Sequence, residues 1–223
     1  GAAERGVEIH PNTEVTGILV EGGAATGVET TRGTVRCGCV VQAVAGSSGL
    51  LAGMAGFKLP IRSVPLQACV SQPLKPFLDT IVVSGSLHVY ISQSARGELV
   101  MGGATDPYQL YSTRSTLDFT EGLMGHVLEL FPFLGNVNIL RQWAGIADMT
   151  PDFAPVMGVS PIKNHYLDAG WGTWGFKATP ACGTYMSELV ATGRVPGMIA
   201  PFALERFRRF DQFGERGAAS VGH

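Results

Sequence analysis

Three glycines and a lysine near the carboxyl end of the chain form a pattern that could bind an anion or a flat ring. Gly170-x-Gly172-x-x-Gly175 lies between a short apolar run and a helical pattern, and Lys177 follows it. Glycines before a helix let a ligand approach the backbone closely, and the free N–H groups of a helix start favour negative charge. The Lys177 ammonium would stabilise a carboxylate or an anionic ring. The alternatives are a purely structural turn and a solvated lysine.

The same glycine pattern differs from a dinucleotide-binding fingerprint in one respect. That fingerprint needs an acidic residue about 20 positions after the glycines, where it binds a ribose hydroxyl. Here the corresponding region contains Pro196 and Gly197. The turn is therefore not predicted to bind a pyrophosphate as the fingerprint does.

Other polar residues lie within apolar segments. Arg141 interrupts an apolar run, where a guanidinium needs an ion-pair partner or a bound anion. Tyr90 lies in an alternating run typical of a strand, and Asp148 and Asp152 are interpreted as turn and cap residues. The five histidines have no metal-ligand spacing, and no serine–histidine–acid pattern is present, so the sequence predicts no metal site.

Hydrophobic periodicity predicts a mixed α/β chain. An apolar run at residues 39–45 has the composition of a buried parallel strand, and a helix capped by Ser115 or Thr116 ends near Pro132. Further helices are predicted at residues 50–55 and 177–191. The remaining predicted strands cover residues 6–10, 14–21, 26–31, 33–39, 64–71, 80–83, 87–93, 98–103, 138–149 and 165–169.

These elements divide the chain into four predicted segments. The pattern of elements predicts that residues 1–59 and 149–200 form one α/β layer. Residues 60–148 are predicted to form an antiparallel sheet inserted between them. Residues 201–223 carry phenylalanines among arginines, which predicts a packed arm without a catalytic role.

Composition excludes several classes of protein. The 223 residues are 45% hydrophobic and 15% charged, with a net charge of −2, which argues against disorder and against a nucleic-acid partner. No apolar run is long enough to span a membrane, and the first residues lack a signal-peptide core. The four cysteines are too few for a disulfide scaffold and are interpreted as reduced core thiols, so a cytoplasmic location is expected.

Several segments together resemble one protein family. They are residues 64–68, 88–94, 141–146, 170–180 and 200–207. The chain is similar in these segments to the C-terminal half of the β subunits of heterotetrameric sarcosine oxidases, which belong to the D-amino-acid-oxidase-like flavoprotein superfamily. The resemblance implies part of a Rossmann-like FAD-binding domain with an inserted antiparallel substrate-binding sheet.

The resemblance also implies roles around FAD. By this similarity, the backbone of Val15 meets the adenine, Gly46 belongs to a second glycine turn near the dinucleotide, and Gly172 and Gly175 lie against the isoalloxazine. Trp174 stands where members of this family commonly have glycine, and so adds bulk beside the flavin. The pyrophosphate-binding strand and the histidine that carries covalent FMN are expected upstream of this sequence.

The same resemblance implies a substrate site and a reaction. Lys177 is expected to contact both the flavin and the substrate carboxylate, Arg141 to be an active-site arginine, and Tyr90 to face the substrate. The implied reaction is oxidative demethylation of sarcosine to glycine and formaldehyde with peroxide formation, in complex with α, γ and δ subunits. The alternatives are a related proline or dimethylglycine dehydrogenase subunit, and a truncated scaffold without catalysis.

Overall fold

The computed structural model describes residues 1–213, which contain eleven strands and four α-helices. The strands are β1 (Val15–Glu21), β2 (Ala24–Thr30), β3 (Gly33–Arg36), β4 (Val40–Gln42), β5 (Arg62–Pro73), β6 (Val82–Ser84), β7 (Val89–Gln93), β8 (Glu98–Thr105), β9 (Ile139–Met149), β10 (Val156–Val159) and β11 (His165–Ala169). The helices are α1 (Ser48–Met54), α2 (Leu117–Leu130), α3 (Gly175–Thr192) and α4 (Arg206–Arg209). The fold class is mixed α/β, as the sequence predicts.

The largest sheet is antiparallel and has five strands in the order β6-β7-β8-β5-β9. Alternate side chains of its strands, including Val89, Ile91, Leu99 and Met101, are buried beneath α2. Because successive strand residues point to opposite faces, the residues between them face away from α2. One face of this sheet is therefore hydrophobic core, and the other is available for a site.

Helix α2 begins where the sequence predicts. The Thr116 hydroxyl accepts a hydrogen bond from the backbone N–H of Phe119 at 3.3 Å, which satisfies one of the free donors of the first turn. The buried Gln67 of β5 also ties this start to the sheet, since its amide oxygen accepts from the Thr116 N–H at 2.8 Å. Its amide nitrogen donates to the Asp106 carboxylate at 3.0 and 3.1 Å.

A second sheet brings together the two parts of the predicted α/β layer. Its strand order is β10-β11-β4, with β11 antiparallel to β10 and parallel to β4. Helix α3 packs against it through Cys182, Met186 and Leu189, which form a core with Met157 of β10. Strands β1, β2 and β3 form a third, antiparallel sheet beside it. The division of the chain into domains stays a prediction.

The structure corrects several predictions of local structure. Residues 6–10 form no strand, because they are exposed and pair with no neighbour; a 3₁₀ turn at Ala3–Arg5 precedes them. The run 39–45 yields only the three residues of β4, and Val41 is 44% exposed, so the strand is not buried on both faces. All four cysteines are free, but Cys37 is exposed and so is not a core thiol.

One strand is missing from the predicted set, and the predicted arm is only partly described. The sequence gives little signal for β10, because Gly158, at φ 125°, interrupts a run of only four residues. In the arm, Arg206 is buried and Phe202 stacks on Phe213 with ring centroids 5.1 Å apart. Residues 214–223 of the predicted arm lie outside the described residues.

Candidate functional site

A small cavity lies on the sheet face opposite α2. Tyr90, Gly102, Ala68 and Trp143 are direct partners across β7, β8, β5 and β9, so their side chains form one row on this face. The two aromatic residues flank a strip made only of a glycine and an alanine. The cavity has a volume of about 230 Å³, and Gly172 is one of the residues that line it.

The position of the Tyr90 ring requires a glycine at residue 102. A Cβ at Gly102 would lie 2.4 Å from the phenolic oxygen, so the ring lies directly over this glycine. Burial raises the pKa of Tyr90, and the charge of Cys69 adds a smaller contribution in the same direction. The phenol is therefore protonated at neutral pH and is able to donate a hydrogen bond into the cavity.

The glycine turn between β11 and α3 is held against β9. Gly170 and Gly172 have φ values of 72° and 52°, a region that favours glycine. A Cβ at Gly172 would also lie 2.9 Å from the Met149 sulfur. The Asp148 carboxylate accepts hydrogen bonds from the N–H groups of Gly170 at 2.6 Å and Gly172 at 3.1 Å. Burial raises the pKa of Asp148, and these N–H donors oppose the rise.

Helix α3 begins at this turn without a side-chain cap. Its N-cap residue is Trp174, which makes no capping hydrogen bond, so among residues 1–213 no side chain caps the first backbone N–H groups and they could meet an anion. Lys177, in the first helical turn, is exposed, and its Nζ lies 4.4 Å from the centroid of the Trp174 ring. These N–H groups and the ammonium make the start of α3 electropositive, and the turn before it reaches the cavity at Gly172.

The predicted arginine lies on the same sheet face but outside the cavity. Arg141 precedes Trp143 by two residues on β9, pairs with Val70 of β5, and is exposed. Within residues 1–213 its guanidinium has no ion pair or hydrogen bond. The described residues therefore provide no ion-pair partner for Arg141, and whether it binds an anion or forms a structural ion pair stays a prediction.

Val15 and Gly46 do not line the cavity. Val15 is the first residue of β1, and its side chain packs against the core beside α1. Gly46 is buried in a 3₁₀ turn after β4, and a Cβ there would lie 2.4 Å from Cγ2 of Ile146, a residue of the cavity lining. The Ser63 hydroxyl donates to the Gly46 carbonyl at 2.6 Å. Gly46 therefore packs against a residue that lines the cavity.

Two buried polar atoms flank the Gly46 turn without a partner among the described residues. They are the side-chain oxygens of Gln42 and Ser48. The amide nitrogen of Gln42 donates to the Ser48 carbonyl at 2.8 Å, which fixes both residues close to the turn. Unpaired buried oxygens are uncommon because each costs desolvation energy, so this turn is a place where a polar ligand would be stabilising.

Gly46 gives a direct stability prediction. We expect Gly46→Ala to lower the free energy of unfolding by about 1–3 kcal/mol, because the new methyl group overlaps Ile146. Gly49→Ala, three residues later in α1, is the matched control: its Cβ meets nothing within 4 Å and should raise helix stability by about 0.5–1 kcal/mol. Urea unfolding measures both changes, and equal effects of the two variants would contradict the close contact.

Sequence reasoning missed two residues of this region. The sequence predicts a turn or cap role for Asp148, but the residue lies in β9 and its carboxylate anchors the glycine turn 22 residues away. Trp143 occurs in a segment of the resemblance and was assigned no role, although it is one wall of the cavity. Trp143 comes to line the cavity only when four strands pair, because the residues that share its row are distant in sequence.

Two further kinds of feature are absent from residues 1–213. No group of three or more histidine, cysteine or acidic residues is arranged to hold a metal ion there. Among the helices in this part of the chain, none combines the length and the apolar character that crossing a membrane requires.

Comparison with known proteins gives a consistent set of relatives. The chain is 46% identical to the sarcosine oxidase subunit beta of Rhodobacter capsulatus over 99% of its own length and 53% of that protein. It is also 46% identical to the sarcosine oxidase subunit beta of Rhizobium meliloti, over 97% of this chain and 52% of the relative. The chain thus spans about half the length of these curated relatives.

Solved structures share the fold. The L-proline dehydrogenase from P. horikoshii superposes with a TM-score of 0.86 at 31% identity, covering 95% of this chain and 58% of that one. Glycine oxidase from Geobacillus kaustophilus superposes with a TM-score of 0.83 at 25% identity, covering 92% and 55%. The family model described as DAO, FAD dependent oxidoreductase, matches residues 1–189. With most of its length matched, the chain belongs to this family of FAD-dependent oxidoreductases.

Proposed function

We propose that the chain forms the substrate-binding half of a subunit that oxidises a secondary amino acid, most specifically sarcosine. The observation that carries the proposal is the electropositive start of α3, which carries Lys177 and follows the glycine turn whose Gly172 lines the small cavity between Tyr90 and Trp143. Such a site suits a small molecule with one carboxylate and one apolar N-methyl group. The similarity to sarcosine oxidase β subunits favours the same substrate.

The described residues also fit the flavin of the family. The glycine turn presents backbone at Gly172 and Gly175, and the Gly46 turn has two unpaired buried oxygens nearby. We propose that the first turn holds the ring, that the second lies near the dinucleotide together with the backbone of Val15, and that Lys177 contacts the ring as well as the substrate. FAD, when bound, supplies a two-electron acceptor for oxidation of a C–N bond.

The residues of the chain would bind and orient the substrate. The Lys177 ammonium would bind the carboxylate. Arg141 lies on the sheet face that carries the cavity, has no partner among residues 1–213, and would attract the carboxylate. Tyr90 and Trp143 would flank the N-methyl group. The balanced reaction is sarcosine, dioxygen and water giving glycine, formaldehyde and hydrogen peroxide.

The proposal includes partners and a compartment. The relatives are named as subunits, which supports a multi-subunit enzyme, and we propose α, γ and δ subunits and an FMN attached to a histidine upstream of this sequence. The four free cysteines suit a reducing compartment, so we propose the cytoplasm. A proline or dimethylglycine dehydrogenase subunit is the second candidate, favoured by the TM-score of 0.86 with L-proline dehydrogenase.

The decisive experiment is an anaerobic flavin spectrum of the chain produced together with its upstream half. We expect flavin bands that bleach with sarcosine faster than with proline or dimethylglycine. Faster bleaching with proline would favour the second candidate, and absence of flavin from the complete protein would favour a scaffold without catalysis.

Lys177 gives this proposal a residue-level test. We expect Lys177→Met to lower kcat/KM for sarcosine by about 10- to 100-fold, mainly through KM, because a charge-assisted hydrogen bond contributes about 1.5–3 kcal/mol. Lys163→Met is the matched control, since Lys163 is another exposed lysine and lies on the loop before β11. Equal kinetics of the two variants would contradict carboxylate binding by Lys177.

A further inference from the structure

The ammonium of Lys177 is held by an aromatic ring. Its Nζ lies 4.4 Å from the centroid of Trp174, and within residues 1–213 it pairs with no carboxylate. A cation over an indole face is attracted by the negative potential of the ring. The ring covers one side of the ammonium, so the N–H groups that do not face the ring remain available to a ligand beside the indole.

Trp174 occupies a constrained position. It is half-buried, and it lies between Gly172, which lines the cavity, and Lys177 in the first turn of α3. Its backbone N–H donates to the Trp171 carbonyl at 2.9 Å, which fixes the turn that carries the indole. A movement of this side chain would therefore alter both the location of the ammonium and the space beside it.

The cavity that Gly172 lines, two residues before Trp174, is small. Its volume of about 230 Å³ is below the roughly 300–1,000 Å³ of common ligand pockets, and Tyr90 and Trp143 already flank it. A substrate bound through its carboxylate on Lys177 has its α-carbon next to the ammonium. A substituent on that carbon would have to share the space with the indole.

We propose that Trp174 is a positioning residue that holds the Lys177 ammonium and selects amino acids with an unsubstituted α-carbon. The inference rests on the proposed function and deepens it, because it restricts the substrates to N-alkylated glycines. Cα-substituted secondary amino acids such as proline and N-methylalanine are disfavoured. Removal of the indole both weakens carboxylate binding and opens the site to them.

Binding of acetate to the flavin-loaded complete protein, measured by calorimetry, tests the positioning role. Trp174→Leu removes the π-face and keeps apolar bulk, and we expect it to weaken acetate binding about two- to fivefold. Trp174→Phe keeps a ring face and is expected to bind acetate within about twofold of the wild type. In a Lys177→Met background, Trp174→Leu should have no further effect. An equal effect in both backgrounds, or no acetate binding by the wild type, would overturn the role.

The selectivity is tested by the ratio of kcat/KM for N-methylalanine to that for sarcosine. We expect Trp174→Gly to raise this ratio about tenfold, because a single carbon in a tight pocket changes selectivity by about that factor or more. Trp174→Phe should give an intermediate value. An unchanged ratio in both variants would overturn the size selection. If no amino acid reduces the wild-type flavin, the proposed function fails. The acetate affinities of the single and double variants still show whether Trp174 acts through Lys177.

Discussion

Replacing Arg206 with methionine is expected to lower the free energy of unfolding by about 3–5 kcal/mol, because it leaves a buried carboxylate without its cation. The Arg206 and Asp152 side chains are only 3% and 1% exposed. Two guanidinium nitrogens donate to the two carboxylate oxygens at 2.8 and 3.0 Å. Further guanidinium N–H groups donate to the carbonyls of Ala154 at 2.8 Å and Phe202 at 2.9 Å.

A set of matched variants isolates this effect. Arg208→Met, two residues later in α4, removes an exposed arginine and should change stability by less than about 0.5 kcal/mol. The double variant Asp152→Leu/Arg206→Met should recover much of the loss, because no unpaired charge remains buried. Urea unfolding at neutral pH measures all three, and similar values for Arg206→Met and Arg208→Met would contradict the assignment.

The same ion pair gives stability a pH dependence. Burial alone would raise the pKa of Asp152, but the hydrogen bonds and the charge of Arg206 outweigh it and lower the pKa. Above the unfolded-state pKa of about 3.9 the stabilisation is complete, and it is lost as the pH falls through the lower pKa of the folded state. Arg206→Met should therefore lose less stability than the wild type on acidification from pH 5.

Local features of the sequence predict the elements that position the candidate site. Gly170, Gly172 and Gly175 were expected to form a turn between a strand and a helix, and the structure has this turn between β11 and α3. Thr116 was one of two residues expected to cap α2, and it does. Each signal comes from a few neighbouring residues, whose conformational preferences are strong.

Contacts between distant residues had no comparable signal. Asp152 lies in a turn, as predicted, but nothing nearby in the sequence identifies its partner 54 positions away. The row that joins Tyr90 to Trp143 requires three separate strand pairings, and a shift of one residue in any of them would move a side chain to the opposite face. Lys177 was predicted to lie beside a ligand, but its contact with Trp174 depends on the conformations of both side chains.

Removing the carboxylate of Asp148 is expected to loosen the glycine turn that carries the candidate site. In Asp148→Ala the N–H groups of Gly170 and Gly172 lose their side-chain acceptor, and each unsatisfied buried donor costs about 1–3 kcal/mol. We therefore expect the free energy of unfolding to fall by about 2–5 kcal/mol. The Gly172 N–H keeps one longer bond to the Asp148 carbonyl, at 3.2 Å, which puts the loss nearer the lower value.

Asp148→Asn and Asp79→Ala separate the anchor from the general effect of removing a negative charge. The asparagine keeps one oxygen acceptor but turns an NH₂ group toward an N–H donor, so we expect about half the loss of Asp148→Ala. Asp79 is exposed in a loop, and its removal should leave unfolding unchanged. Because the turn leads directly into the start of α3, acetate affinity should fall with stability in the two Asp148 variants. Stable Asp148 variants with wild-type acetate affinity would contradict the anchoring role, since a turn without its acceptor could not hold Lys177 in place.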